Sequence, residues 1–166
     1  ANISGITQHM RKKIIDAGGD PLRETLNIIP TLDNKPFYRD GDGNYWRGYI
    51  YIEGAKGYEL VEKVDHFYKA GKAFGRFQSL LSDYPADKLH ETIPNFHHTK
   101  LRFDALVEAV EKDIMNRAKD VKEEIQFALE REDDTPILVN LLEKGKLPLR
   151  VTHNDTKLNN VLIDNK

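Results

Sequence analysis

THNDTKLNNVLID, residues 152–164, sets His153, Asp155, Lys157 and Asn160 at the spacing H-x-D-x-K-x-x-N. Apolar runs flank these polar residues, Leu147 to Val151 before them and Val161 to Ile163 after, each too short for a helix of ordinary length. The stretch reads as a loop held between two short strands. Phosphoryl transfer asks for such a set of groups: a carboxylate to orient an acceptor hydroxyl and receive its proton, an amide oxygen to help hold a phosphate-bridging metal, and a cation to offset charge on the transferred group. Asp155, Asn160 and Lys157 suit those roles in that order. His153 then reads as structural, its ring bonding to loop backbone and fixing Asp155. The plainer alternative is a capped turn rich in Asn and Asp.

Upstream of this loop the pattern is helical. Thr135 and Pro136 suit a helix start and Gly145 a stop, so a helix is expected over 136–144. Phe103, Leu106, Val110, Ile114, Val121, Ile125 and Leu129 repeat near 3.6, as one long helix or two with a break near Asn116. From Tyr58 to Tyr84 the apolar face is Leu60, Val64, Phe67, Gly71, Phe74 and Leu81, widened by Phe77 and Leu80. Phe67, Phe74, Val110 and Ile125 are expected to be buried. Gly71 and Gly75, four apart, suit the close approach of another backbone, at about 1 kcal/mol of helix propensity each. Glu53 to Gly57 break the pattern and read as a connector. Before them, residues 25–53 read as antiparallel strands, the strongest being YWRGYIYIE at 45–53, whose aromatics are expected in a sheet core. Ile3, Ile6, Met10 and Ile14 mark an opening helix that Gly18 and Gly19 end.

Composition narrows the chemistry further. The chain has 166 residues with 39% apolar and 31% charged side chains, suited to one domain or a large piece of one. No apolar run approaches the ~20 residues of a membrane span, so no membrane partner is expected. A formal charge of −2 leaves no broad basic field for a nucleic-acid backbone, which excludes nucleic acid as the expected partner. The absence of Cys removes disulfides, thiolate zinc sites and cysteine nucleophiles, and fits a cytoplasmic location. Other patterns fail on spacing. DGDGN at 40–44 opens like a calcium loop, but Tyr45 and Tyr51 stand where that loop needs Gly and Glu, so a hairpin turn is expected. His90 and Glu91 begin a zinc-helix signature that Pro94 breaks. His97 and His98 read as surface or capping residues, and the charges of 108–134 as a solvated helix face laced by weak pairs.

The stretch THNDTKLNNVLID resembles the catalytic loop of the protein-kinase-like small-molecule kinases, the group containing aminoglycoside phosphotransferases, choline kinases and N-acetylhexosamine 1-kinases. GNYWRGYIYIEGAKGYELVE, AGKAFGRFQSLLSDYPADKLHETIPNFHHT and LPLRVTHNDTKLNNVLID are most similar to the N-acetylhexosamine 1-kinase branch, along nearly the whole chain. The resemblance implies an α+β, protein-kinase-like fold. In it, residues 1–53 are a partial small lobe of helix and antiparallel strands, 54–57 a hinge, and 58–166 a partial, mainly helical large lobe. It implies that Glu53, Gly54 and Ala55 bind adenine through backbone groups, that Asp155 is the catalytic base with Lys157 beside it, and that Asn160 is a magnesium ligand. ATP and Mg2+ are the implied cofactors, and a sugar is the implied substrate.

Lys157 follows the Asp by two residues as in protein kinases, where aminoglycoside phosphotransferases usually carry His, which speaks against antibiotic resistance. No Glu lies between Asn2 and Ile15 to pair with a phosphate-binding lysine. The family's phosphate-covering loop, its lysine and its second metal carboxylate have no counterpart in the chain. Residues 1–166 are therefore expected to be the central piece of a longer kinase and to be inactive alone. The implied reaction is transfer to the anomeric hydroxyl of an N-acetylhexosamine. The alternatives are a kinase of choline, an amino alcohol or another small hydroxylated substrate, or a non-catalytic pseudokinase or interaction module. No feature of the sequence indicates an oligomeric state.

Overall fold

The computed structural model describes residues 2–164, which form two compact units. One comprises the described residues up to His90 and from Arg150 onward; the other is Glu91–Leu149. The architecture is α+β, several helices with small antiparallel strand pairs.

The first unit opens with α1 (Asn2–Asp16), which buries Met10 and Ile14. Gly18, at φ +73°, ends the helix in the left-handed region that glycine enters freely, and the Gly19 amide returns to the Ile14 carbonyl at 2.8 Å. Next, α2 (Pro21–Glu24) is a single turn that Asp20 caps by accepting from the Leu22 amide at 2.9 Å, while the Glu24 carboxylate accepts from the Asp20 amide at 2.8 Å. The strands follow: β1 (Ile28–Ile29), β2 (Tyr38–Arg39), β3 (Tyr45–Trp46), β4 (Gly48–Tyr49) and β5 (Ala55–Lys56). β1 pairs with β4, Ile28 opposite Tyr49, and β2 with β3, Tyr38 opposite Trp46.

The stretch 45–53 is therefore not one long strand. Its two halves join different partners on either side of Arg47, and the last backbone bond to β1's side is from the Ile50 amide to the Asn27 carbonyl at 2.9 Å. Nor do its aromatics form a sheet core, since Tyr45, Trp46 and Tyr51 are exposed. The reason lies in the 40–44 turn. The Asp40 carboxylate accepts from the Asn44 amide at 2.8 Å and the Trp46 indole at 2.7 Å, and this closes the hairpin on itself. Both carboxylate oxygens thus serve the turn's own donors, as a hairpin rather than a calcium loop requires.

α3 (Val64–Leu80) starts later than the apolar pattern suggests and turns a different stripe inward. His66, Ala70 and Leu81 are buried and Phe74, Phe77 and Leu80 half-buried, whereas Leu60, Val64 and Phe67 face solvent. Phe67 is thus a correction to the expected core, 63% exposed, and Phe74 is buried only in part. The stripe follows its packing partners: Tyr58 lies on His66 with ring centres 4.1 Å apart, and Leu81 joins Met10, Ile14 and Val151 in the core cluster. Gly71 and Gly75 approach no backbone. A Cβ at either would meet open space.

The second unit holds α4 (Thr99–Lys112), α5 (Lys122–Leu129) and α6 (Ile137–Glu143). His98 caps α4 through Nδ1, which accepts from the Leu101 amide at 3.3 Å. Asp113 and Asn116, both at positive φ, break the path between α4 and α5 where two helices were one of the options. Thr135 does not cap α6, because its hydroxyl donates to the Glu132 carbonyl at 2.7 Å. Phe103 is buried, while Val110 and Ile125 are only half-buried. Lys100 pairs with Asp104 and Glu132, and Lys112 with Glu108, as a solvated face would show. Among the described residues no helix is long and apolar enough to cross a membrane.

The chain returns to the first unit through Val151 and ends its described part in β6 (Ile163–Asp164), antiparallel to β5 with Ala55 opposite Asp164.

Candidate active site

The loop 152–162 is fixed at both ends by burial. Val151 sits in the core with Met10, Ile14 and Leu81, and Ile163 is 5% exposed and opposite Lys56. Arg150 adds a hydrogen bond from Nη1 to the Ser82 carbonyl at 2.6 Å. Between these anchors the backbone reverses at Asn154, whose φ of +60° lies in the left-handed region that Asn tolerates better than most side chains. The Thr152 hydroxyl donates to its side-chain oxygen.

His153 is half-buried and held by packing. Phe74 and Phe77 meet its ring edge-on at centroid distances of 5.2 and 5.6 Å, and its buried Nδ1 has no hydrogen-bond partner. The ring is thus positioned by two aromatic neighbours from α3 rather than by an Nδ1 bond to loop backbone.

Asp155, Lys157 and Asn160 converge. A 3-10 turn over Leu158–Asn160 folds Asn160 back beneath Asp155, where Nδ2 donates to the Asp155 carbonyl at 2.8 Å and to Oδ2 at 2.9 Å. Lys157 Nζ stands 3.3 Å from Oδ1. The Asn160 donor first, and then Lys157, holds the Asp155 carboxyl below the usual carboxylate range despite the opposing effect of desolvation. Asp155 is therefore ionised at neutral pH and half open to solvent, able to accept from an incoming hydroxyl. With its NH2 committed to Asp155, Asn160 has its oxygen left for another partner. The donor set is all oxygen, which suits a hard cation such as Mg2+. Among the described residues, no group of three or more His, Cys, Asp or Glu is placed to hold a metal.

Glu53, Gly54 and Ala55 lie in the same unit as the loop. Gly54 turns at φ +73°, and Ala55 enters β5, whose partner β6 directly follows the loop. A second tie comes from Asn159, which donates to Glu59 Oε2 at 3.0 Å across 100 residues of sequence. Arg23 of α2 donates from Nη1 to the Glu53 carbonyl at 3.0 Å and from Nη2 to Asp164 Oδ2 at 2.5 Å. Sequence reasoning missed Arg23, which sits in no motif. It also took Phe74 and Phe77 as plain core, although a histidine placed to meet two aromatics was the available signal.

A family model described as the phosphotransferase enzyme family (APH) matches residues 32–166, a span that includes Glu53–Ala55 and the whole of the loop.

Proposed function

The chain belongs to the phosphotransferase enzyme family (APH), a protein-kinase-like family of kinase-type enzymes acting on small molecules, and on that premise we propose that it serves an ATP- and Mg2+-dependent kinase reaction on the anomeric hydroxyl of an N-acetylhexosamine. The observation that carries the reading is the ionised Asp155, held by Asn160 and flanked by Lys157 on a doubly anchored loop. Asp155 accepts the hydrogen bond of the acceptor hydroxyl, orients it for in-line attack and takes its proton as the new oxygen–phosphorus bond forms and the bond from the γ-phosphorus to the bridging oxygen of ATP breaks, with ADP leaving. Lys157 offsets negative charge on the transferred group. Asn160 would hold Mg2+ through its side-chain oxygen, and the ion when bound supplies neutralisation of the phosphates.

Residues 1–53 and 58–166 are read as partial lobes on either side of a hinge at 54–57, with Glu53, Gly54 and Ala55 offering backbone groups to adenine. The choice of an N-acetylhexosamine is supported by the three long stretches similar to that branch and by Lys157 in place of the aminoglycoside-phosphotransferase His. The partners are then a sugar and ATP, with neither nucleic acid nor membrane, and the location cytoplasmic. The test is ADP release by the kinase that contains this chain, offered N-acetylgalactosamine, N-acetylglucosamine, choline and an aminoglycoside in turn. Turnover confined to the N-acetylhexosamines is expected. Turnover with choline or the aminoglycoside instead would replace the substrate, and none with any acceptor would favour a non-catalytic protein.

A further inference from the structure

We propose that Arg23 is a positioning residue that holds the adenine-binding segment to the strand following the catalytic loop, and so sets where the nucleotide lies relative to Asp155. The inference rests on the reading of Glu53–Ala55 as that segment. The guanidinium reaches two elements at once, the Glu53 carbonyl at 3.0 Å and the Asp164 carboxylate at 2.5 Å, from a partly buried position. A planar fork with separate nitrogens suits two such acceptors; a lysine ammonium, a single point on a flexible stem, does not. The Glu53 carbonyl keeps a second lone pair, so the contact leaves room for an adenine amino group.

The bridge matters because the pairing it reinforces is slight. β5 and β6 are two residues each, and an isolated two-stranded pair is marginal in water even at greater length. Arg23 is itself held in place. Asp20 and Glu24 cap the turn that carries it, and Glu24 is also ion-paired to Arg76 on α3. The guanidinium therefore links α2, the hinge and the strand after the loop into one fixed spacing, and Asp164 contributes as an anchor rather than as a metal ligand.

Amide hydrogen exchange on the chain without nucleotide tests the bridge. Arg23→Met should speed exchange at residues 55–56 and 163–164 by about tenfold, the ratio expected for losing a charge-assisted hydrogen bond, and leave the buried amides of α1 and α3 unchanged. Arg23→Lys should restore this protection only in part. Asp164→Ala should also speed exchange at 163–164, with the effect of the double variant smaller than the sum of the two single changes. Unchanged exchange in both single variants, or equal acceleration everywhere, would overturn the proposal.

Calorimetry with Mg·ADP on the kinase that contains this chain supplies the second arm. Affinity should fall about tenfold in Arg23→Met while Arg23→Lys recovers less than half of the loss. If ADP slows exchange at 53–57 in the unaltered chain yet binds Arg23→Met equally well, the positioning role is wrong. If ADP does not bind, or binds without slowing 53–57, the hinge reading fails, and the bridge stands or falls on exchange without nucleotide.

Discussion

Asp155→Asn keeps the size of the side chain but removes its charge and the proposed proton acceptor. In the active kinase it should cut kcat by at least two orders of magnitude while the affinity for ATP stays within about threefold, because the loss falls on the transition state. Steady-state kinetics with a nucleotide-binding titration separate the two effects. The pH profile carries the same information. Asn160 and Lys157 keep the Asp155 carboxyl below the usual carboxylate range, so the acid limb of kcat/KM should lie below that range. Asn160→Ala removes the larger of the two influences and should move the limb upward, and it should also raise the Mg2+ concentration needed for half-maximal rate by removing an oxygen ligand. An unmoved limb and an unmoved magnesium titration would deny Asn160 both effects. The cluster of Asp155, Lys157 and Asn160 was legible in sequence because all three lie within one short loop, whose local turn brings them together. Arg23 was not, because its two acceptors come from segments that meet only in the folded chain.

At the scale of elements, α3 carries two glycines with nothing against them. Gly71→Ala and Gly75→Ala should each stabilise the protein by about 0.5–1 kcal/mol, read as a higher urea midpoint at unchanged slope. A loss of stability would mean that a neighbour does pack there. Helix existence was well marked by 3.6-residue periodicity, but the inward face of α3 was not. A wide apolar stripe fits several rotations within about one residue, and the rings of Tyr58 and His153 select the one that buries His66 and leaves Phe67 in solvent. The strand run 45–53 misled for a related reason, since aromatic and β-branched content marks strand preference without naming the partner strand.

Between α1 and the end of α3, Asp83 accepts from both Lys13 and His9, which depress its carboxyl to about 2 from an ordinary 3.8. A carboxyl depressed on folding contributes stability that is fully present above its unfolded value and is lost as pH falls through the folded one. The urea midpoint should therefore decline between about pH 4 and pH 2, and Asp83→Asn should lessen that decline. An identical acid profile in the variant would show that the two contacts do not persist in solution.

For the whole molecule, the accessible surface is 12874 Å². Two separate compact bodies sharing the mass of 19.1 kDa in the proportion of the two units would together expose about 10,000 Å². Large apolar side chains contribute to the difference: Leu60, Val64, Phe67 and Tyr68 around the start of α3 are each more than 60% exposed. Surface of this kind binds hydrophobic dyes and weakens the cooperative transition. Residues 1–166 should therefore enhance anilinonaphthalene sulfonate fluorescence under native conditions, and Phe67→Lys together with Val64→Lys should reduce the signal without lowering the urea midpoint. A native state silent to the dye would show that these side chains are covered in solution.

The pairing of β5 with β6 also limits how early this part of the protein can finish folding during synthesis. Ala55 emerges from the ribosome long before Asp164, and at about 5–20 residues per second β5 waits roughly 5–20 s for its partner. Val151, which completes the cluster around Ile14 and Leu81, arrives almost as late. The nascent chain thus carries an open strand edge and an unfinished core while the residues between Ala55 and Asp164 are made, a window in which chaperones act and in which a stalled ribosome would release an aggregation-prone product.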